Sequence, residues 1–415
     1  MSEFYIDDIP ARSIAEKFGT PLYCYSATGI ENNFNGWQRA FEKTLPRKNF
    51  TICFACKAND NIAIMSLLEK LGAGADIVSG GELARAIKAK IPPRKIVYSG
   101  VGKKEAELAE ALRLGLLQIN VESEEELRLI SKLAKKMKKT VQVALRVNPD
   151  VDAKTHAKIT TGKKENKFGI NINDAPRLYR LARSLPGIRA TGVAMHIGSQ
   201  ITSLTPFKKA YERMAALVLR LRKQGNAITT VDLGGGFGIT YKDETPPGLH
   251  LYALMVAGIF SPLGVHIILE PGRALVGNAG VLLSSVVSIK KGHDKTFVIL
   301  DAGMNDLIRP ALYDAYHEIV PVRPRAGKKQ TYDIVGPVCE TSDTFHASKK
   351  MPALKTGDVV AILSAGAYGA VMSSAYNTRP PAGEAMVKGS RAALIRKTKT
   401  VAEIIAEDTV PVWLK

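Results

Sequence analysis

Between residues 49 and 273 the chain repeats one alternation eight times, a short apolar run followed by an amphipathic stretch. The runs fall at 49–56, 73–79, 95–100, 116–122, 140–148, 188–199, 227–238 and 265–273. Most are continuously apolar, the pattern of strands covered on both faces of a parallel sheet. Eight such strands with helices between them, spread over roughly 230 residues, predict a (β/α)8 barrel of the TIM type. An open doubly wound sheet is the alternative, because a linear pattern carries no sign of closure. After residue 276 the texture changes. The segments 281–289, 296–300, 332–335 and 359–363 are rich in β-formers and are separated by turn residues without regular helices. They predict a second, mostly antiparallel β-domain of sandwich or barrel type. The strand-like run 22–25 precedes the first barrel strand and is expected to join it. The expected division is 31–275 for the barrel, and 1–30 with 276–415 for the β-rich domain.

At 415 residues, 46% hydrophobic and 23% charged, the chain can bury cores of that size and lacks a disordered composition. No apolar run reaches the ~18 residues of a spanning helix. The N-terminus has no charged start followed by an apolar core, so neither a membrane-spanning nor a secreted protein is expected. Four cysteines are too few for a disulfide scaffold, which makes a reducing cytoplasm the expected compartment. Cys53 and Cys56 have the spacing of a redox or zinc pair, but no second pair accompanies them. Residues three apart in a strand also face opposite ways, so buried thiols and no metal site are expected.

The 58 basic and 39 acidic residues leave a net charge of +19. Lysine pairs are scattered at 103–104, 163–164, 290–291, 328–329 and 349–350, which reads as solvated surface. No basic-aromatic stripe supports a nucleic-acid partner. The densest cluster, 135–139, ends a predicted helix that opens with Ser123-Glu124-Glu125-Glu126. Its charges complement the helix dipole, and Ser123 with Glu126 fits a capping box.

In a barrel of this kind, chemistry gathers where the strands end. Lys57 directly follows the first run, where it could be an ordinary loop lysine. A lysine desolvated at the mouth would instead be a nucleophilic amine, able to form a Schiff base with a carbonyl substrate or with pyridoxal phosphate. The second run contains Asp76, either structural or an acid at the mouth. The sixth run ends with His196 and Ser199; a lone histidine is as readily a satisfied core residue as a site residue. The seventh ends in Gly234, Gly235 and Gly236, a flexible turn or a backbone cradle for phosphate. The eighth ends Glu270-Pro271-Gly272-Arg273, offering a carboxylate for a cationic ring nitrogen and an arginine for phosphate or carboxylate. An amine, a phosphate cradle and a pyridinium partner are what a pyridoxal phosphate site requires of a protein.

These blocks, with Phe54-Ala55-Cys56-Lys57-Ala58-Asn59, Ser79-Gly80-Gly81-Glu82 and His196-Ile197-Gly198-Ser199-Gln200, resemble the alanine-racemase-fold pyridoxal phosphate decarboxylases. Three longer blocks resemble the diaminopimelate decarboxylase family within them. One runs from Arg146-Val147-Asn148-Pro149 through Thr155-His156 to Lys167-Phe168-Gly169. Another is the stretch from Asp301 to Tyr313, and the last is Gly336 to Asp343 followed by Gly366-Ala367-Tyr368-Gly369. The resemblance covers nearly the whole chain. It implies that Lys57 holds the cofactor as a Schiff base and that His196 stacks on its ring. Asp76, Ser199, Gly234, Gly235, Gly236, Gly272 and Arg273 would contact the cofactor, most of them at its phosphate, and Glu270 would pair with its ring nitrogen. Substrate would meet Arg273, Arg309, Tyr313, Glu340 and Tyr368, the last also touching cofactor. Cys339 would be the proton donor, reaching the site from the partner chain of a homodimer.

The implied reaction is decarboxylation of meso-diaminopimelate to lysine and carbon dioxide, the last step of lysine biosynthesis. The nearest rivals on the same fold are decarboxylases of ornithine, arginine or carboxynorspermidine. Arg309 and Glu340 argue against them, since a basic residue suits a substrate whose far end is a carboxylate. A non-catalytic relative would be expected to lack Lys57 or Cys339, and both are present. The polar stretch between Thr155 and Phe168 is a candidate lid.

Overall fold

The structure, a computed structural model, describes residues 3–152 and 167–414; Thr155, His156, Lys163, Lys164 and most of the candidate lid lie outside the described residues. The chain divides into two compact units, one of residues 31–240 and 244–275, the other of 1–30, 241–243 and 276–415.

The first unit is built on eight parallel strands: β1 (Phe50–Ala55), β2 (Gly74–Ile77), β3 (Ile96–Tyr98), β4 (Gln118–Val121), β5 (Val141–Asn148), β6 (Ile188–Ala194), β7 (Thr230–Asp232) and β8 (His266–Leu269). Each pairs with the next, and β8 pairs back onto β1 through Ile267 opposite Phe50, so the sheet is a closed barrel. The open-sheet alternative is thereby excluded. Closure explains the continuous apolar runs: β2, β3 and β4 are buried at every position, by side chains inside the ring and helices outside. Helices between the strands pack that outer face. An aromatic cluster of Trp37, Phe207, Phe237 and Tyr252, with ring centroids 5.2 to 6.5 Å apart, secures the helices Leu204–Lys223 and Leu249–Phe260.

Two strand-to-helix junctions share one device. Ser79 Oγ accepts the Glu82 N–H, and Ser123 Oγ accepts the Glu126 N–H, each at 3.1 Å. Neither glutamate completes the capping box expected at 123–126. Glu82 accepts instead from Val78 N at 2.7 Å and Glu126 from Glu122 N at 2.8 Å, the residue before the cap. That last N–H of the strand would otherwise be left unpaired as the chain turns into the helix. The expected surface lysine at 103 is also corrected. Its side chain is fully buried, donating to Gly100 O (2.6 Å), Asn120 O (2.8 Å) and Glu126 Oε1 (2.5 Å). Strand-end carbonyls and a carboxylate there satisfy all three ammonium protons. Cys53 and Cys56 are free and buried, and burial pushes both thiols up.

The second unit is a mostly antiparallel sheet system: β9 (Gly280–Lys291), β10 (Thr296–Leu300), β11 (Ile319–Pro321), β12 (Gln330–Val335), β13 (Thr344–Met351), β14 (Val359–Ile362), β15 (Gly383–Lys388) and β16 (Arg391–Arg396). The strand Leu22–Ser26 lies between β9, antiparallel, and β15, parallel. β9 pairs with Leu22–Ser26 and β14 along its first half and with β10 along its second, with a register shift between Val286 and Ser288. Leu22, Cys24, Leu283, Ala361, Ala385 and Val387 form the core beneath it. Four of these strands, β11, β13, β15 and β16, are too short or too polar to be read from sequence. β13, Thr-Phe-His-Ala-Ser-Lys-Lys-Met, buries only Phe345 and Met351. No helix among the described residues is long and apolar enough to cross a membrane.

Candidate active site

The carboxyl ends of the barrel strands surround a cavity of about 380 Å³, lined by Lys57, Asn120, Arg146, Phe168, His196 and Glu270 among others. Lys57 leaves β1 in a short 3-10 turn, Cys56–Ala58, and its Nζ donates to Asp76 Oδ2 at 3.0 Å. Asp76 is fully buried while 33% of the lysine side chain stays open to the cavity. The second carboxylate oxygen of Asp76 is buried without a partner.

His196 follows β6. Gly235 N–H donates to its Nδ1 at 3.3 Å, which leaves the ring proton on Nε2. Burial holds the imidazole well below its usual protonation range, and the charges of Lys57 and Arg146 push the same way. A neutral aromatic ring therefore stands at the mouth.

The glycines after β7 are there for want of space. A Cβ at Gly234, Gly235 or Gly236 would run into the carbonyl oxygens of Met195, Glu270 and Gly198 respectively, and Gly234 and Gly236 have φ of +65° and +102°. The backbone thus lies flush against the ends of β6 and β8, with Glu270 N donating to Gly234 O at 2.9 Å. Gly272 is equally confined: a Cβ would lie 2.9 Å from Ala58 Cβ. Arg273 donates from Nη2 to Ser199 Oγ at 2.9 Å, so the two residues expected at a phosphate already meet.

Glu270, directly after β8, is buried beside Asp232 at the end of the neighbouring strand β7. Burial raises it well above the usual carboxylate range, reinforced by Asp232 and Asp76 and opposed by Lys57. Its Oε1 is buried without a partner.

The remaining expected residues stand on the other unit. Arg309 opens the short helix Arg309–Tyr313 and is buried. Its Nη1 donates to His317 Nε2 at 2.9 Å, and its guanidinium lies 4.7 Å from the Tyr241 ring centroid. His317 Nδ1 in turn donates to Leu363 O at 2.8 Å, which makes Nε2 the acceptor and the imidazole neutral. Cys339 and Glu340 lie on the exposed loop between β12 and β13. Asn377 Oδ1 accepts the Cys339 N–H at 3.0 Å, and Glu340 accepts from Ser342 Oγ. Buried Asp343 shapes the loop, accepting from Met304 N and Val338 N at 2.7 Å each. Tyr368 follows β14 with a φ of +56°.

The family model for the pyridoxal-dependent decarboxylases, pyridoxal binding domain, matches residues 28–277. Diaminopimelate decarboxylase of Zymomonas mobilis is 48% identical over 413 residues, covering 99% of this chain and 97% of that protein. The chain belongs to the diaminopimelate decarboxylase family. Crystal structures of relatives agree with that membership. The enzyme from M. jannaschii in complex with L-lysine superposes with a TM-score of 0.94 at 40% identity, covering 100% of this chain and 97% of that one. The enzyme from Helicobacter pylori with L-lysine gives 0.92 at 39%, covering 96% and 98%.

Several residues around this family site were assigned no role from sequence. Arg146 lies in the cavity wall, donating to Glu122 Oε1 at 2.8 Å and stacking 4.9 Å from the Phe168 ring. Asn120 and Asp232 sit at the ends of β4 and β7, and His317 and Asp343 brace Arg309 and the Cys339 loop. The available signal was a polar or ionisable residue inside an otherwise apolar strand, as in Gln-Ile-Asn-Val and Leu-Arg-Val-Asn.

Proposed function

We infer that this chain decarboxylates meso-diaminopimelate to L-lysine and carbon dioxide with pyridoxal 5′-phosphate as cofactor. The fit of the barrel mouth to that cofactor carries the reading. It presents an amine at Lys57, a backbone cradle at Gly234, Gly235 and Gly236, and at Glu270 a buried carboxyl with one oxygen unpartnered. An orphaned buried oxygen is costly unless a ligand satisfies it. A cationic ring nitrogen is the partner that a carboxylate there would take.

Lys57 would hold the cofactor covalently between turnovers and yield it to the substrate amine, with Asp76 keeping the freed lysine amine in place while substrate is bound. Gly234, Gly235, Gly236, Ser199 and Arg273 would hold its phosphate, and neutral His196 would cover one face of its ring without adding charge. When bound, pyridoxal phosphate supplies an electron sink for the pair released as carbon dioxide leaves. Glu270 keeps the ring nitrogen protonated and so deepens that sink.

Arg309, Tyr313, Glu340 and Tyr368 would bind the substrate, with Arg309 pairing with its far carboxylate. Cys339 would return a proton to the α-carbon. We propose that the chain forms a homodimer in which the Cys339 loop of one protomer completes its partner's mouth, an arrangement that suits an exposed thiol. In this reading 31–275 is the cofactor domain, 1–30 with 276–415 supplies the substrate residues, and the enzyme works in the cytoplasm.

An absorbance scan of the purified protein with pyridoxal phosphate, before and after adding meso-diaminopimelate, tests the reading. A visible cofactor band that shifts while lysine accumulates is expected. Such a band with no lysine formed would overturn the substrate assignment, and no band at all would overturn the cofactor.

A further inference from the structure

Two carboxyl groups meet inside the barrel where only one is expected. Asp232, at the end of β7, is buried at 1% exposure on the strand paired with β8, beside Glu270 at 5%, and Glu270 N donates to Gly234 O at 2.9 Å across the two strand ends. Two carboxyls buried side by side disfavour two negative charges, so one of them carries a proton. The surroundings decide which. Asp232 accepts from Asn120 Nδ2 at 2.8 Å and from Gly234 N at 3.0 Å, donors that stabilise an anion. Glu270 accepts from no such donor, and its Oε1 is without a partner. Burial raises both groups, reinforced by the neighbouring acids. The proton therefore resides on Glu270, and Asp232 is the anion.

The orientation of this pair is fixed from further out. Gln118 Nε2 donates to Asn120 Oδ1 at 2.8 Å, so the Asn120 amide must present its nitrogen to Asp232 and, at 3.0 Å, to Ser99 Oγ. The chain of contacts crosses β4, β7 and β8 and ends at the glycine cradle through Gly234. The charged or titratable groups facing the pair are Asp76 from β2, Lys57 from the turn after β1 and Cys53 from β1, with His196 and Arg146 on the cavity wall.

We propose that Asp232 is a positioning residue for the cofactor's ring nitrogen: it keeps the pair's one proton on Glu270 until that nitrogen takes it, and afterwards, as an anion beside the Glu270 carboxylate, helps hold the proton on the nitrogen. Glu270 then meets a neutral ring nitrogen already carrying the proton to be delivered, and after delivery it faces the ring as a carboxylate, so no proton need come from solvent. The same aspartate, by holding Gly234 N–H, ties the phosphate cradle to the ring-nitrogen end of the site. This proposal rests on the cofactor reading given above.

The test is the Asp232→Asn holoenzyme loaded with pyridoxal phosphate carrying 15N in the ring, with the nitrogen shift followed against pH. Asparagine keeps the size and can still accept from Gly234 N–H, but it removes the negative charge. In the wild-type enzyme the nitrogen is expected to stay protonated up to alkaline pH. In Asp232→Asn the proton should leave at a pH lower by roughly one unit or more. At neutral pH kcat should fall by about tenfold while KM for diaminopimelate is unchanged. A folded variant whose nitrogen titration superimposes on the wild type would overturn the proposal even if its melting temperature had dropped. If Asp232→Asn does not fold, Asn120→Leu serves: it strips a donor from Asp232, lets that group take up the proton, and should move the titration in the same direction. A superimposable titration there overturns the proposal equally. Failure of the wild-type protein to bind the cofactor would instead bring down the functional reading and this proposal with it.

Discussion

At the barrel mouth nearly every expected functional side chain is wedged between strand ends, whereas Cys339 and Glu340 stand on an exposed loop of the other unit. Asp76 and Glu270 are buried, each with a carboxylate oxygen that no protein group satisfies. The Cys339 loop has its backbone pinned by Asp343 and Asn377 but leaves its thiol open. The difference teaches how the work is divided. A cofactor that must sit in one pose is met by a rigid, dehydrated cleft. In the proposed reading, the group that delivers a proton is carried on a shaped loop that a partner's surface would receive.

The largest test of this division is at Lys57. Lys57→Ala should lower kcat by about a thousandfold or more and abolish the cofactor's visible band, measured by lysine formation and absorbance. Activity within tenfold of wild type would break the comparison at its centre. Cys339→Ala should cost about a hundredfold in kcat while the cofactor band and the melting temperature stay as they are, because the side chain is exposed and packs against nothing that folding needs. Loss of cofactor binding in that variant would mean that the loop does more than deliver a proton. At Arg309, substitution by alanine should raise KM for diaminopimelate about tenfold or more, since ~1.4 kcal/mol of ion pairing is a factor of ten. His317→Gln, which loosens the brace on Arg309, should raise KM less and leave kcat alone. An unchanged KM in Arg309→Ala would remove the specificity argument.

The smallest effect is on stability. Because His196 is held below its usual value of 6.5, the unfolded chain binds a proton there that the native state refuses. The stability attached to it is therefore present above pH ~6.5 and is lost as pH falls below it, by less than about 1.4 kcal/mol per unit. Denaturant unfolding of wild type and His196→Gln across that window should differ in slope. Parallel curves would mean that the imidazole is solvated.

The barrel could be read from the sequence because most of its strands are buried along nearly their whole length, β2, β3 and β4 at every position, and so spell apolar runs. β13 and β16 could not, since a strand with one solvated face and several lysines or arginines looks like a loop. Lys57, His196, Glu270 and the glycine run were legible as chemistry standing directly after apolar strands. Asp232 escapes notice two residues before the glycines, and Asn120 as a polar residue among apolar ones. Their partners arrive from strands 112 positions apart in sequence, and no local pattern announces such a meeting. Lys103 was misjudged for the same reason, because the carbonyls that bury its ammonium come from two different strand ends.

The Asp343 carboxylate, holding Met304 N–H with one oxygen and Val338 N–H with the other, means that the Cys339 loop is folded before anything approaches it. Its ordering entropy has been spent during folding of the single chain, so a surface that receives it loses little further freedom. Encounters of such a loop resemble the docking of a preformed key more than the zipping-up of a slack tether. Weakening Asp343 should then show itself in how fast two chains come together, before it shows in how well they react.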